Sequence, residues 1–398
     1  NIETQHLYKS NEERVSAQRI KRYVCWFPKS YSNYLLKQDT KEIYKNVSFT
    51  ANDRDKSWDS IPSVATNIDD DCFSRCFSLS SLSIPTSVTS IGSRCFFKCS
   101  SLSQIEVPPS VEVFGDSCFQ NCSSLKSISI PSSVSFIGSK CFSGCRSLTS
   151  IDVDMSNVCY KIERNVLFNR DRSIMLKYFS WDGASSYSVP SCVSAIGDEC
   201  FTECSSLSSI TIPSSVSVIG DGCFSYCRLL TGISIPSSVS RIRKECFLGC
   251  DSLSHMTIPD SVTMVDSHCF FGCTSLLDVS LPSTLSTISN SCFNNCVSLS
   301  NIVIPSSVSR LGDFCFSCCS SLRHLSIPTT VTEIGTYGFC SCTSLANFSI
   351  PSSVSKVGDG CFWRCKVNSS QPLFRKLLLL SVICLGLSII FYVVLRPY

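Results

Sequence analysis

Histidine is nearly missing from this chain: His6, His255, His268 and His324 are the only four among 398 residues. The commonest general base and metal ligand is thereby almost removed. His255 and His324 hold the same place in a repeated pattern but three units apart, roughly 14 Å at strand spacing, too far to share a metal. Charge is scarce as well, at 16% of residues with a net of +3. The charges are scattered, with no basic stripe and no basic–aromatic motif, which argues against a nucleic-acid partner. There is no nucleophile elbow, phosphate-binding glycine loop or His-centred constellation, and acidic pairs are dispersed. Enzyme activity is therefore not expected, and no cofactor or metal is implied.

What the chain has instead is a period. Cys72-Phe73, Cys95-Phe96, Cys118-Phe119 and Cys141-Phe142 stand 23 residues apart. The same spacing resumes at Cys200-Phe201 and runs through Cys223, Cys246, Cys269, Cys292 and Cys315 to Gly338-Phe339 and Cys361-Phe362. A unit this short cannot bury its apolar face alone and must stack on its own copies. The consensus is C-F-x-x-C-x-S-L-x-x-I-x-I-P-x-S-V-x-x-I-G-D-x. Its centre, as in Leu125-x-x-Ile128-x-Ile130-Pro131, has the spacing of a leucine-rich repeat strand. Ile128 and Ile130 point inward and Ser129 outward, and the proline, lacking an N–H, ends the strand. Val134 and Ile137 mark a second short inward-facing piece.

Two residues before each Cys-Phe stand Asp70, Ser93, Asp116, Ser139, Asp198, Asp221, Ser267, Asn290, Asp313, Thr336 and Asp359, with Lys244 the exception. These are helix N-cap types, so each Cys-Phe-x-x-Cys is expected on one helical or 3-10 turn. A calcium ladder would not tolerate Ser, Thr and Asn so freely. The expected fold is a leucine-rich repeat solenoid, a right-handed coil of short parallel strands with such a turn in each 23-residue repeat. Repeats are expected over 61–153 and 200–366, with an irregular unit over 154–199. There the interval from Cys141 to Cys200 is 59 residues. Val166-Leu167-Phe168 and Ile174-Met175-Leu176 flank Asn169–Arg172 as a hairpin, and Tyr187-Ser188-Val189-Pro190 restores the strand register. Residues 1–60 lack the period and are expected to be a cap or the remnant of something longer.

The 29 cysteines fall mostly into two columns four residues apart. That arrangement does not converge ligands as zinc clusters do, and a link within one unit has poor geometry. Links between stacked units remain open beside the simpler expectation, buried reduced thiols serving as small apolar core. Gly338 supports the latter, because obligate pairing within that unit would leave Cys342 stranded unless Cys340 substitutes.

Residues 377–395 are uncharged and almost wholly apolar. Nineteen residues of helix span about 28 Å, close to a bilayer core, so a C-terminal transmembrane helix is expected after a 367–376 linker and before a 396–398 tail. Arg375 and Lys376 before it, against Arg396 after it, favour a cytosolic array by the positive-inside rule. A lipid-anchor signal around Asn368-Ser369-Ser370 is a further reading. Sequons stand at Asn46, Asn121, Asn347 and Asn368.

The outward row of the strands reads Ser83, Glu106, Ser129, Asp152, Thr211, Ser234, Thr257, Ser280, Val303, Ser326 and Ser349. One contact to a hydroxyl is worth about 1 kcal/mol, so useful affinity would need many contacts at once. Ser83, Ser129, Thr211, Ser234, Thr257, Ser280, Ser326 and Ser349 are the candidate ligand-binding residues. The opposing possibility is that they only solubilise the sheet.

Ser132-Ser133-Val134-x-x-Ile137-Gly138, the Phe-x-x-Cys turn and Ser-Leu-x-x-Ile-x-Ile-Pro resemble the unit of the BspA-like leucine-rich repeat surface proteins over residues ~61 to 365. Many members carry Ala where the first column here has Cys. The resemblance implies a non-catalytic surface adhesin or interaction module that binds a protein or glycan ligand on host matrix, host cells or other microbes. It also implies that the repeats face outward on a single-pass cell-membrane protein. The alternative is a membrane-anchored scaffold with its repeats in the cytosol.

Overall fold

The structure is a computed structural model that describes residues 4–7, 22–25, 29–35, 42–54 and 60–365. The expected transmembrane helix at 377–395, its linker, the tail and Asn368 lie outside these residues. Among the described residues no helix is long and apolar enough to cross a membrane. The chain divides into two compact units at Phe179/Ser180, inside the irregular interval.

In the first unit each repeat contributes two short strands, and like strands pair in parallel at a shift of one repeat. Ser81–Ser83 pairs with Gln104–Glu106, and Ser127–Ile130 with Ser150–Val153. A second ladder joins Asn67–Ile68, Ser90–Ile91, Val113–Phe114 and Phe136–Ile137. This ladder reaches back into the segment without the period. Val47–Phe49 pairs with Asn67–Ile68 and with Lys29–Ser30, and the buried Phe49 ring stacks on Phe73 at 6.1 Å. Farther back, Thr4–Leu7, Arg22–Cys25 and Glu42–Tyr44 also pair in parallel.

The second unit repeats the plan. Ser186–Ser188 pairs with Ser209–Thr211, so the strand register resumes where the sequence placed it. His255–Thr257 pairs with Asp278–Ser280 and His324–Ser326 with Asn347–Ser349. The row is not one unbroken sheet: residues 301–304, around Val303, form no strand. Each turn lends only a few residues to a ladder, so a small local shift ends it.

Inside the coil the consensus positions are buried as their alternation requires: Leu125, Ile128, Ile130, Val134 and Ile137 are all inward. The phenylalanines form stacks, with Phe96–Phe119 at 5.3 Å and 5° and Phe270–Phe293 at 5.3 Å and 1°. Each such pair adds about 0.5–1.5 kcal/mol beyond its burial.

The Cys-Phe-x-x-Cys segment is neither an α-helical nor a 3-10 turn, contrary to the sequence expectation. It is a run of tight turns with left-handed residues before the first cysteine and before the second, as at Asp71 (φ 55°) and Arg75 (φ 60°). Alternate N–H groups leave the segment altogether. Those of Asp71, Phe73 and Arg75 donate to the carbonyls of Ser93, Cys95 and Phe97 in the next repeat. Between them, Cys72, Ser74 and Cys76 donate to carbonyls three residues back. A helix would keep all these donors local; stacked copies offer half of them a partner one strand spacing away. Left-handed non-glycine residues cost about 1–2 kcal/mol each, which these inter-repeat bonds offset.

The expected N-cap residues consequently have no helix to cap. Asp70, Asp116, Asp198, Asn290 and Asp313 instead accept the N–H of the matching residue one repeat later, at 2.6–3.0 Å. This explains the glycine that precedes the matching residue. A Cβ on Gly92 would lie 2.6 Å from both the backbone nitrogen and Oδ1 of Asp70.

The irregular element holds the expected hairpin, Val166–Asn169 against Ile174–Tyr178, with a bulge between Leu167 and Phe168. A third antiparallel strand, Tyr160–Glu163, adds to it. The fully buried Asn157 anchors the element. Its amide donates to the Pro131 and Val134 carbonyls, and its Oδ1 accepts from Cys159 and Tyr160 N–H. The Tyr160 hydroxyl then takes the Ile137 N–H at 2.9 Å.

Candidate functional site

The repeat presents several serine and threonine columns, and most are occupied with holding the coil together. In the Pro-x-Ser/Thr-Val segment, Ser133 Oγ donates to the Val111 carbonyl at 2.6 Å and Ser353 Oγ to that of Val331 at 2.9 Å. At the entry to the second strand, Thr89, Ser309 and Ser355 donate to Thr66, Ser286 and Thr332 carbonyls. At the entry to the first, Ser103 and Ser208 do the same to Ser80 and Ser185.

The strand row differs. Ser83, Ser129, Thr211, Ser234, Thr257, Ser280, Ser326 and Ser349 are all exposed, and none of their side-chain hydroxyls has a hydrogen-bond partner among the described residues. Alternation along the strand explains this: the residues on either side, such as Ile128 and Ile130, are buried, so the hydroxyl between them points away from every backbone carbonyl. Each unit therefore carries its own set of outward hydroxyls, at most one per repeat. In the first unit Glu106 and Asp152 join them around an open depression of about 750 Å³ edged by Pro85 and Pro108. In the second unit Val303 interrupts the row and is 72% exposed.

Sequence reasoning missed one polar pair on this face. His255 Nδ1 lies 2.9 Å from Asp278 Oδ2, across neighbouring strands. The residues are 23 apart, so the period itself could have found them. Both side chains are more than half exposed. His324 opens a different strand, as the repeat count requires.

The sequon asparagines do not form a group. Asn46 Oδ1 accepts from the Asn67 amide, the Asn121 side chain covers Gly144, and Asn347 opens a strand.

The 27 cysteines from Cys72 to Cys365 form no disulfide. Those of the second column tie each repeat to the one before it. Cys99, Cys122, Cys250, Cys273 and Cys342 each donate S–H to a phenylalanine carbonyl of the preceding repeat at 3.0–3.1 Å. Burial pushes the Cys99, Cys145 and Cys273 thiols up to about 12. Among the described residues no three His, Cys, Asp or Glu side chains are placed to hold a metal ion.

These features define a parallel β-solenoid of the leucine-rich repeat class. Residues 56–172, 172–278 and 241–368 match the family described as "BspA type Leucine rich repeat region (6 copies)", and the chain belongs to that family. Among solved structures it is similar to a leucine-rich repeat protein from Eubacterium ventriosum, at 23% identity and a TM-score of 0.58 over 89% of this chain and 85% of that one. A leucine rich cell surface protein from Faecalibacterium prausnitzii is similar at 24% identity and a TM-score of 0.50, over 76% and 87%. The pneumococcal vaccine antigen PcpA is similar at 18% and 0.51, over 89% of each chain. At these identities the likeness concerns the fold. No curated protein sequence matches the chain.

Proposed function

We propose that this chain is a non-catalytic interaction protein of the cell surface that binds a protein or glycan ligand through the strand faces of its repeats. The observation that carries this reading is the hydroxyl row on the strand face: the serine and threonine columns of the Pro-x-Ser/Thr-Val segment and of the two strand entries bond neighbouring backbone, whereas the side chains of this row have no hydrogen-bond partner among the described residues. Weak contacts recurring along the repeats suit attachment to an extended or repetitive ligand. A single-pass anchor at 377–395 with the repeats outside the cell completes the proposal. The description of the Faecalibacterium prausnitzii neighbour as a cell surface protein supports that orientation.

A second reading places the repeats in the cytosol as a scaffold. Arg375 and Lys376 ahead of the apolar segment favour it, as do the free thiols, which a reducing compartment preserves. Protease treatment of intact cells separates the two. The surface reading expects digestion of the repeats in intact cells; protection that vanishes on permeabilisation contradicts it. A panel of matrix proteins and glycans then tests binding, and a wholly negative panel counts against an adhesive role.

A further inference from the structure

Two cysteines in the turns depart from the columns, and they meet. Cys318 precedes the second-column Cys319. Cys340 lies in the following repeat, the one whose first-column cysteine is replaced by Gly338. The Cys318 N–H donates to the Cys340 carbonyl at 2.7 Å, so the two residues are diagonal neighbours on adjacent turns. Adjacent strands about 4.8 Å apart bring diagonal α-carbons within the roughly 4.4–6.8 Å that a disulfide spans. The Ser317 hydroxyl touches both sulfurs, at 3.8 Å from Cys318 Sγ and as a hydrogen-bond partner of the Cys340 thiol.

We propose that Cys318 and Cys340 form a redox-active dithiol that closes into a disulfide between the two repeats. Their surroundings separate them from the column thiols. Second-column sulfurs are bonded to phenylalanine carbonyls, including Cys319 to Phe293 and Cys342 to Phe316, and both of these are fully buried. Cys318 is partly exposed, with the Ser317 hydroxyl beside its sulfur; Cys340, 7% exposed, sits just beneath the surface. Burial raises the Cys340 thiol, while the hydroxyls of Ser341 and Ser317 lower it again in part. The accessible member is therefore the attacking thiol and the covered one resolves.

The oxidant is a small external disulfide such as oxidised glutathione. The Cys318 thiolate attacks one of its sulfurs, forming a mixed disulfide and releasing one thiolate, which takes up a proton. The Cys340 thiolate then attacks Cys318 Sγ and releases the second thiol. Two protein thiols are oxidised and one external disulfide is reduced to two thiols. The new bond ties the repeat that lost its column cysteine to the one before it.

The test uses the full chain, equilibrated under native conditions with oxidised and reduced glutathione, alkylated, and mapped by mass spectrometry. The expected product is a Cys318–Cys340 linked peptide pair lacking two hydrogens, with the buried column thiols alkylated only after denaturation. In C340S the glutathione adduct should remain trapped on Cys318; in C318S, Cys340 should stay unmodified. A map in which any other pair is the main disulfide, Cys342–Cys365 included, overturns the proposal. Equally contrary is a chain that leaves Cys318 and Cys340 both free, or a C340S protein without the trapped adduct.

Discussion

The Cys-Phe turn and the strand face of the same repeat treat polar groups in opposite ways. At the turn polar groups are spent on the neighbouring copy: alternate N–H groups and thiols donate to the adjacent repeat, and aspartate carboxylates accept from it. On the strand face the outward hydroxyls of the row have no hydrogen-bond partner among the described residues. The turn is thus where stacking is specified, and the face is where the molecule has polar capacity to spare. Substitutions at the turn should change stability and leave binding per folded molecule intact; substitutions on the face should do the reverse.

The largest expected effect lies at the turn and concerns pH. Burial raises the folded-state pKa of Cys99, Cys145 and Cys273 to about 12, above the ~8.5 of an unfolded thiol. Their contribution is complete below pH ~8.5 and is lost as pH rises toward 12, because the native state then holds more protons than the unfolded one. Each such thiol removes ~1.4 kcal/mol of stability per pH unit in that window, and the columns contain many. Thermal unfolding between pH 7 and 10 should show a steep fall in Tm; a flat profile would mean that the thiols are not buried in this way.

Removing a stacked ring comes next. Phe247→Ala should destabilise the second unit by ~3–5 kcal/mol, measured by denaturant unfolding. Gly138→Ala drives a Cβ into the Asp116 nitrogen and should cost ~1–3 kcal/mol in the same measurement. Cys273→Ala removes a thiol-to-carbonyl bond and should cost more than Cys273→Ser, which retains a donor; the difference should be ~1 kcal/mol. If the two variants match, the thiol is only filler. Smallest of all, Thr257→Ala or Ser280→Ala on the strand face should stay within ~0.5 kcal/mol of the parent.

The period, the strand positions, the hairpin at 166–178 and the return of register at Tyr187 were all legible, because each is written in local alternation or in the spacing of 23. The turn conformation was not. Asp70 has the composition of an N-cap, but its acceptor serves Ser93, 23 residues on, and local reading assigns such a residue to its own neighbours. Strand 160–163 was hidden for a similar reason. Asn157 and Tyr160 act through side-chain bonds to the preceding repeat, which no periodicity of the segment itself reveals. For the candidate site, the sequence supplied the outward row from period-two alternation. Which serine columns are consumed by the coil and which are free became apparent only from their partners.

The central claim is that the free strand row is the binding surface. Its most direct test compares two triple variants in one cell-binding assay. One carries Thr257→Lys, Ser280→Lys and Ser326→Lys on the row; the other carries Ser237→Lys, Ser306→Lys and Thr329→Lys at the exposed residues that follow the repeat prolines. Both add the same charge to the same unit. The row variant should lose binding while the control keeps it, with both remaining folded; equal binding by the two, or a loss confined to the control, would contradict the claim.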